Sequence, residues 1–402
     1  MICKMPQPVA ILNKKETQSS RIIHHVKGVS EGPIVVFFGG IHGNEPAGVT
    51  ALEKVLIDLD PKVIKGEIYG IYGNLKALST NKRFIEKDLN RIWTEDRVKA
   101  LPTKQRLTAE EEEQVELFDI IQGILKTNNN PVYFIDFHTT SSPTLPFITI
   151  NDALINRYFS MHFPVPIVLG IEEYLEGPLL SYLNKQGYVS LGFEAGQHTD
   201  ADSVTNCEAF IYLSIVIAGL SAMENFIRYP NFYRTLRNQA RGLREVFEVM
   251  YKYEIKPFEE FKMNPGFVSF QKIKLGDELA LSNDTIIKSP TTARLFMPLY
   301  QKQGEDGFFI IRTIPVFFLK LSALLRKIRA DQLLTLLPGI SWFDKKRGIL
   351  RANLKVTRFM AKSIFHLLGY RNKQEDKTHL LLYNRERVAR NYLYEKSGWF
   401  HA

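Results

Sequence analysis

Short apolar runs alternate with segments of helical periodicity through the first 230 residues, and no other feature constrains the fold as strongly. Ile34–Phe38 (IVVFF) is β-branched and aromatic and ends in Gly39-Gly40, the pattern of a strand buried on both faces. Gly48–Leu59 follows with Val49, Leu52, Val55, Leu56 and Leu59 at helical spacing. Glu67–Tyr72, Val132–Phe137, Phe147–Ile150, Pro166–Leu169 and Tyr188–Phe193 read as further strands. Thr108 and Glu111 form a capping box that opens a helix running to about Leu125. The longest uncharged run, Ala209–Met223, has 15 residues, short of the ~20 that cross a bilayer, and reads as a buried helix. Together these predict an α/β body whose sheet is covered on both faces.

The pattern changes near residue 230. A polar helix is expected over Arg234–Tyr253, then short alternating runs broken by Gly and Pro from Pro265 to Arg312, which read as β. From Val316 onward the reading is helical. The boundaries expected are 1–230 for the α/β body, 231–315 for a helical connection and β-rich domain, and 316–402 for a basic helical extension. The extension holds 18 of the 52 Lys and Arg and 6 of the 43 Asp and Glu, a net charge of +12. That leaves 34 basic and 37 acidic residues for the rest, so the chain's net +9 belongs to its end. A segment this basic suits a membrane surface or an acidic partner. No aromatic-rich groove motif accompanies it, so nucleic acid is not expected. Within it Leu354–Leu368, closed by Gly369, reads as an amphipathic helix with Lys355, Arg358 and Lys362 on one face. Docking of its apolar face on the protein's own body is the favoured reading of this helix, and a membrane-surface or partner-binding helix is the alternative. Val316–Ala330 has Lys320 and Arg329 on opposite sides and is not a clean amphipath. Two cysteines, Cys3 and Cys207, exclude a disulfide framework. With no targeting or spanning segment read in the chain, a cytoplasmic setting is expected.

The chemistry concentrates where strands end. GGIHGNEPAG sets His42 and Glu45 directly after IVVFF, and VYFIDF runs into His138. Loops at the carboxyl ends of strands collect ligands in open α/β sheets. Two histidines and a carboxylate are the ligand set of a catalytic zinc, which keeps a fourth position for water. The structural alternatives are a histidine that closes a turn, a helix-terminal charge at Glu45 and a satisfied strand-end histidine at His138. YVSLGFEAGQH carries a third strand to Glu194, the type of group that moves a proton between water and a leaving amine. Its flanking Gly192 and Gly196 either admit a ligand or relieve packing. NKRFIEKDLNRIW supplies Arg83, Asn90 and Arg91, donors suited to an oxyanion and to a carboxylate.

GGIHGNEPAG, KRFIEKDLNRIW, DFHTTSS and GFEAG, in this order, resemble the succinylglutamate desuccinylase and aspartoacylase family, a branch of the zinc carboxypeptidase-like hydrolases. The resemblance spans roughly residues 34–315. It implies a three-layer α/β/α zinc-hydrolase body followed by a β-rich domain. It implies one zinc held by His42, Glu45 and His138, and Glu194 as general acid and base. Arg83 would polarise the scissile carbonyl, and Asn90 and Arg91 would hold a substrate carboxylate. Tyr300 corresponds to a substrate-binding tyrosine of the β-rich domain. The sequence departs from the family where an additional carboxylate-binding Arg is expected, since Asn184 and Lys185 stand there. The activity implied is deacylation of a small N-acyl amino acid or related carboxylate-bearing amide. Carboxypeptidase-like cleavage of short peptides and a catalytically idle binding protein are the alternatives.

Overall fold

The computed structural model describes residues 21–126, 129–357, 362–374 and 378–400. The first strands are β1 (Ile22–Lys27), β2 (Ser30–Gly39), β3 (Lys65–Tyr72), β4 (Val132–Thr140), β5 (Phe147–Ile150), β6 (Ile167–Leu169) and β7 (Val189–Gln197). β2 is parallel to β3 and β4, and β4 is parallel to β7, so the carboxyl ends of β2, β4 and β7 lie along one edge. β5 runs antiparallel to β7, pairing Phe147 with Glu194.

Both faces of this sheet are buried, which is why its strands read as unbroken apolar runs. Val35 and Phe37 of β2 face helices α1 (Ala47–Ile57) and α4 (Ala201–Ile217), in a core with Leu52, Leu56 and Phe210. Ile34, Val36 and Phe38 face the other way, onto Leu117, Ile121 and Ile124 of α2 (Ala109–Lys126). Each such side chain contributes about 1.5–3 kcal/mol on burial. A short helix, α3 (Leu179–Lys185), covers the same side through Leu179 and Leu183. The result is the three-layer body the sequence predicted. Only half of the capping box at α2 forms: Thr108 N donates to Glu111 at 3.0 Å, while the Thr108 hydroxyl is buried without a partner among the described residues.

After α5 (Tyr229–Gln239) the chain departs from expectation. The polar helix predicted over Arg234–Tyr253 is half strand, since β8 occupies Val246–Glu254. Val246, Phe247 and Val249 are buried there, and a helix would have turned some of them to solvent. β8 pairs in parallel with β6 and extends the central sheet. The remaining strands of this region are β9 (Phe261–Met263), β10 (Lys272–Ile273), β11 (Glu278–Ser282), β12 (Thr285–Lys288), β13 (Ala293–Phe296) and β14 (Asp306–Thr313). β14, β13 and β10 continue the central sheet to eleven strands among the described residues, while β12, β11 and β9 form a three-stranded sheet.

The extension is not the helical segment expected. It opens with α6 (Val316–Lys327) and continues as a four-stranded antiparallel sheet of β15 (Ile340–Asp344), β16 (Ile349–Asn353), β17 (Tyr370–Gln374) and β18 (His379–Asn384). Runs of five or six residues hold too few alternations to separate strand from helix. Of the amphipathic helix expected over Leu354–Leu368, Leu354–Thr357 and Lys362–Leu367 are helical, and Arg358, Phe359 and Met360 lie outside the described residues. The extension is anchored on the body. Tyr394 donates its hydroxyl proton to Val132 O at 2.5 Å and accepts from Val189 N at 3.0 Å, closing the amino ends of β4 and β7. Trp399 Nε1 donates to the Tyr133 hydroxyl at 3.1 Å.

Candidate functional site

β2 delivers the chain into a tight turn in which Glu45 N donates to His42 O at 3.2 Å. Gly43 inside this turn has no room for a side chain, because a Cβ would stand 2.0 Å from the Ala77 carbonyl carbon. Gly43 N also donates to Arg83 O at 3.2 Å, tying the turn to the arginine segment. His42, Glu45 and His138 converge with donor atoms within 4.8 Å of one another, and all three are buried.

The Glu45 carboxylate lies between the two rings, Oε1 at 2.9 Å from His42 Nδ1 and Oε2 at 3.0 Å from His138 Nδ1. Thr139 N donates to Oε2 at 3.0 Å and Arg83 Nη1 to Oε1 at 3.3 Å. Burial acts to raise the Glu45 carboxyl, but His42 and His138 hold it well below the usual carboxylate range. Each ring is oriented from behind by a carboxylate. His42 Nε2 lies 3.1 Å from Asp88 Oδ1 and His138 Nε2 lies 2.7 Å from Asp136 Oδ2. Burial works against a charged His138, yet Asp136 and Glu45 hold its pKa well above the usual histidine range. A carboxylate behind each ring is the support that metal-ligating histidines ordinarily have. Two Nδ1 atoms and one carboxylate, so supported, fit a divalent metal of the zinc type.

Glu194 stands beside His138, its register partner across β4 and β7. Its Oε2 is buried with no hydrogen-bond partner among the described residues. Burial, reinforced by Glu45 and Asp136, outweighs His138 and Arg83 and pushes its pKa up to about 8. A carboxyl poised near neutrality beside a deprotonated one is how acid and base roles are divided in a site. Arg83 donates from Nη2 to Asp88 at 3.1 Å, and its Nε is buried without a partner among the described residues. Gly192 and Gly196 do not open a ligand path: an added Cβ would meet Thr149 Oγ1 at 2.6 Å and Ser203 Oγ at 2.5 Å, so they serve packing.

The remaining expected residues lie differently. Asn90 accepts from Leu179 N at 2.9 Å, joining its loop to α3. Arg91 is half-buried and its Nη2 is paired with Asp306 Oδ2 at 3.1 Å; Lys252 holds the other oxygen of Asp306 at 3.1 Å. Tyr300 does not bring its hydroxyl to the cluster, since that group donates to Asn264 O at 2.7 Å and accepts from Phe267 N at 3.1 Å. Asn184 is buried among Asn156, Ser190 and Leu180 in a hydrogen-bonded network and does not stand in for the family's further arginine.

Several contributors were not read from the sequence. Asp136 had a signal, because a residue two before His138 on a strand shares its face. Asp88, which also caps the turn Leu89–Arg91 through Asn90 N, had none. Buried Glu110 accepts from the backbone N–H groups of Ile85, Glu86 and Lys87 and fixes the loop between Arg83 and Arg91. Gln301, next to Tyr300, accepts from Asn44 Nδ2 at 3.0 Å, and its Oε1 lies 3.1 Å from His198 Nε2. His198 Nδ1 in turn lies 2.8 Å from Thr139 Oγ1, beside His138.

Fold and site define a mixed α/β protein with a His–Glu–His donor set at its strand ends. Residues 31–175 match the succinylglutamate desuccinylase/aspartoacylase catalytic domain. The likeness to that family rests on about a third of the chain. It is 33% identical over 108 residues to the succinylglutamate desuccinylase of Photorhabdus laumondii, covering 26% of this chain and 33% of that one. It is 30% identical over 164 residues to a probable aspartoacylase of Acaryochloris marina, covering 38% of this chain and 52% of that one. The matches thus span a third to about half of these relatives' own length. The crystal structure of succinylglutamatedesuccinylase/aspartoacylase from Rhodobacter sphaeroides shares the fold, with TM-score 0.56 and 16% identity, over 72% of this chain and 88% of that one.

Proposed function

We propose that the chain is a zinc-dependent amidohydrolase that deacylates a small N-acyl amino acid or related carboxylate-bearing amide. The observation that carries this reading is a buried His–Glu–His donor set beside a separate buried carboxyl, Glu194, whose Oε2 is unpaired. His42, Glu45 and His138 would hold the ion, which when bound supplies a Lewis acid for the scissile carbonyl and acidifies a water. Glu194 takes the proton of the attacking water and returns it to the leaving amine. Arg83 offers the unpartnered Nε–H to the developing oxyanion, a contribution of about 3 kcal/mol for a well-placed donor. Asp88 and Asp136 fix the rings. Arg91, with Asn90 beside it, binds the carboxylate of the substrate in place of Asp306.

Metal analysis of the purified protein, followed by a screen of N-acyl amino acids with His42→Ala as control, tests the reading. Bound zinc and hydrolysis lost in His42→Ala are expected. Turnover of short peptides alone would move the reaction to the carboxypeptidase class, and metal without turnover would leave a binding scaffold.

A further inference from the structure

Helix α6 buries two polar residues, Ser322 and Arg326, with Leu319 and Leu325 packed beside them, while Phe317, Leu324 and Ile328 stand 67%, 57% and 63% exposed. Phe317, Leu321, Leu324 and Ile328 follow the 4-3-4 spacing of one helical stripe. Val316 and Phe318, on either side of Phe317, are also exposed, as are Leu333 and Leu336 in the 3-10 segment Ala330–Leu336 that follows.

The orientation is fixed by chemistry. Arg326 Nη1 donates to Asp152 O at 2.6 Å and pairs with Glu386 Oε1 at 3.1 Å; Nη2 reaches Asp152 Oδ2 at 2.5 Å and His366 O at 2.7 Å. Ser322 Oγ donates to Leu367 O at 2.8 Å, and Arg157 Nη1 to Leu319 O at 3.2 Å. Turning the stripe inward would strip these bonds from a buried guanidinium, which is strongly unfavourable. The sequence alone placed Lys320 and Arg329 on opposite sides of one helix. In the structure the helix ends at Lys327, and Lys320 and Lys327, seven residues apart, flank the apolar stripe on one side. Lys320, Lys327 and Arg329 are all exposed. Between Val316 and Phe343 the sole acidic residue is Asp331, which is buried against Tyr370 and Arg387.

We infer that α6 and the turn after it form a docking face for an anionic lipid bilayer, with Phe317, Leu321, Leu324 and Ile328 entering the interface and Lys320, Lys327 and Arg329 meeting the headgroups. Charge selects this occupant. A second copy meeting the same face about a two-fold axis would bring the lysines of a +12 segment against themselves, whereas anionic headgroups neutralise them. At 12 residues the helix lies along the surface and is too short to span. The face also lies away from the candidate site. Asp152 follows β5, which runs against β7 and away from Glu194, so docking leaves the carboxyl edge of β4 and β7 open.

Sedimentation of the full chain with vesicles tests this. Binding to an equal mixture of phosphatidylglycerol and phosphatidylcholine should exceed binding to phosphatidylcholine alone by about tenfold or more, and should weaken as salt rises. Phe317→Ser/Leu324→Ser/Ile328→Ser should lose binding to both vesicles with the circular dichroism spectrum and thermal midpoint retained. Lys320→Glu/Lys327→Glu touches no packed residue and should lose only the preference for anionic lipid. The inference is overturned if the natural chain ignores anionic vesicles at low salt, or if either variant binds them as the natural chain does. It is also overturned if sedimentation velocity shows a dimer that the triple variant dissolves, since the stripe then belongs to a second copy.

Discussion

The two ends of β4 and β7 bury charge for opposite purposes. At the carboxyl ends, Glu45 is held deprotonated by two histidines while Glu194 is pushed up to about 8, and two buried polar atoms, Glu194 Oε2 and Arg83 Nε, have no partner. On the side of the sheet where the extension docks, Asp152 is shared by Arg157 and Arg326, and among the described residues none of these three has a buried atom unpaired. Burial acts to raise Asp152 too, but Arg157, Arg326 and Arg385 override it and hold the carboxyl below its ordinary value. The second site is a joint between body and extension, in which Arg326 is fully paired even though burial raises Glu386 beside it. At the first, the unpaired atoms belong to groups beside the His–Glu–His donor set.

The largest effect expected from breaking this contrast is at Glu194. Glu194→Gln keeps the shape and removes the proton acceptor, so kcat should fall by about 10³-fold with metal content unchanged. Steady-state hydrolysis of the best N-acyl amino acid, with metal analysis of the same sample, reads both. Loss of metal together with activity would instead make Glu194 part of the metal site.

On the other side the cost is stability rather than rate. Arg326→Met leaves Asp152 and Glu386 buried with less compensation and should cost about 3–5 kcal/mol in urea unfolding, with metal affinity retained. The same joint predicts acid sensitivity. The folded pKa of Asp152 lies below its unfolded value, so its contribution is complete above about pH 4 and fades as pH falls through the acid range toward the folded value. Arg326→Met should flatten that loss. An unchanged acid limb of the stability profile would exclude Asp152 as its source.

A smaller effect is expected behind the metal-type ligands. Asp136→Asn keeps a hydrogen-bond acceptor at His138 Nε2 but removes the charge, and should weaken zinc binding by about 10–100-fold in a chelator competition. If zinc affinity were unchanged while stability fell, Asp136 would be a buried structural acid and the likeness between the two ends would be closer than proposed.

How much of this was legible in the sequence follows from how local each feature is. His42, Glu45, His138 and Glu194 could be read because each sits at a strand end, and the strands announce themselves through double-sided burial. The body's layers were legible for the same reason. Gln301 was not, because it meets Asn44 from 257 residues away, and no local pattern carries a contact of that range. Asn184 could be counted as a departure but not interpreted until Asn156 and Ser190 were seen around it. The outward stripe of α6 was obscured by Arg329, which the sequence reading placed inside a helix that ends at Lys327, and the burial of Arg326 had no signal. A periodicity reading treats an arginine as a solvent-side residue, whereas here Asp152 and Glu386 make it the buried one.

The subtlest test concerns Asp306, which blurs the distinction between the two kinds of pairing. It is a protein carboxylate sitting where the proposed reaction requires a substrate carboxylate, on Arg91 at 3.1 Å, with Lys252 ready on its other oxygen. If Arg91 is a binding group, Asp306 competes with the substrate, and Lys252 retains it when it is displaced. Asp306→Asn should then lower KM for a carboxylate-bearing amide by about three- to tenfold while kcat stays the same, the signature of a change in uniform binding. The pair is partly exposed, which keeps the effect modest. A substrate lacking the carboxylate should show no gain. If KM instead rises, Asp306 holds Arg91 in its working position, and the Arg91 pair is a joint of the same kind as Asp152 with Arg326.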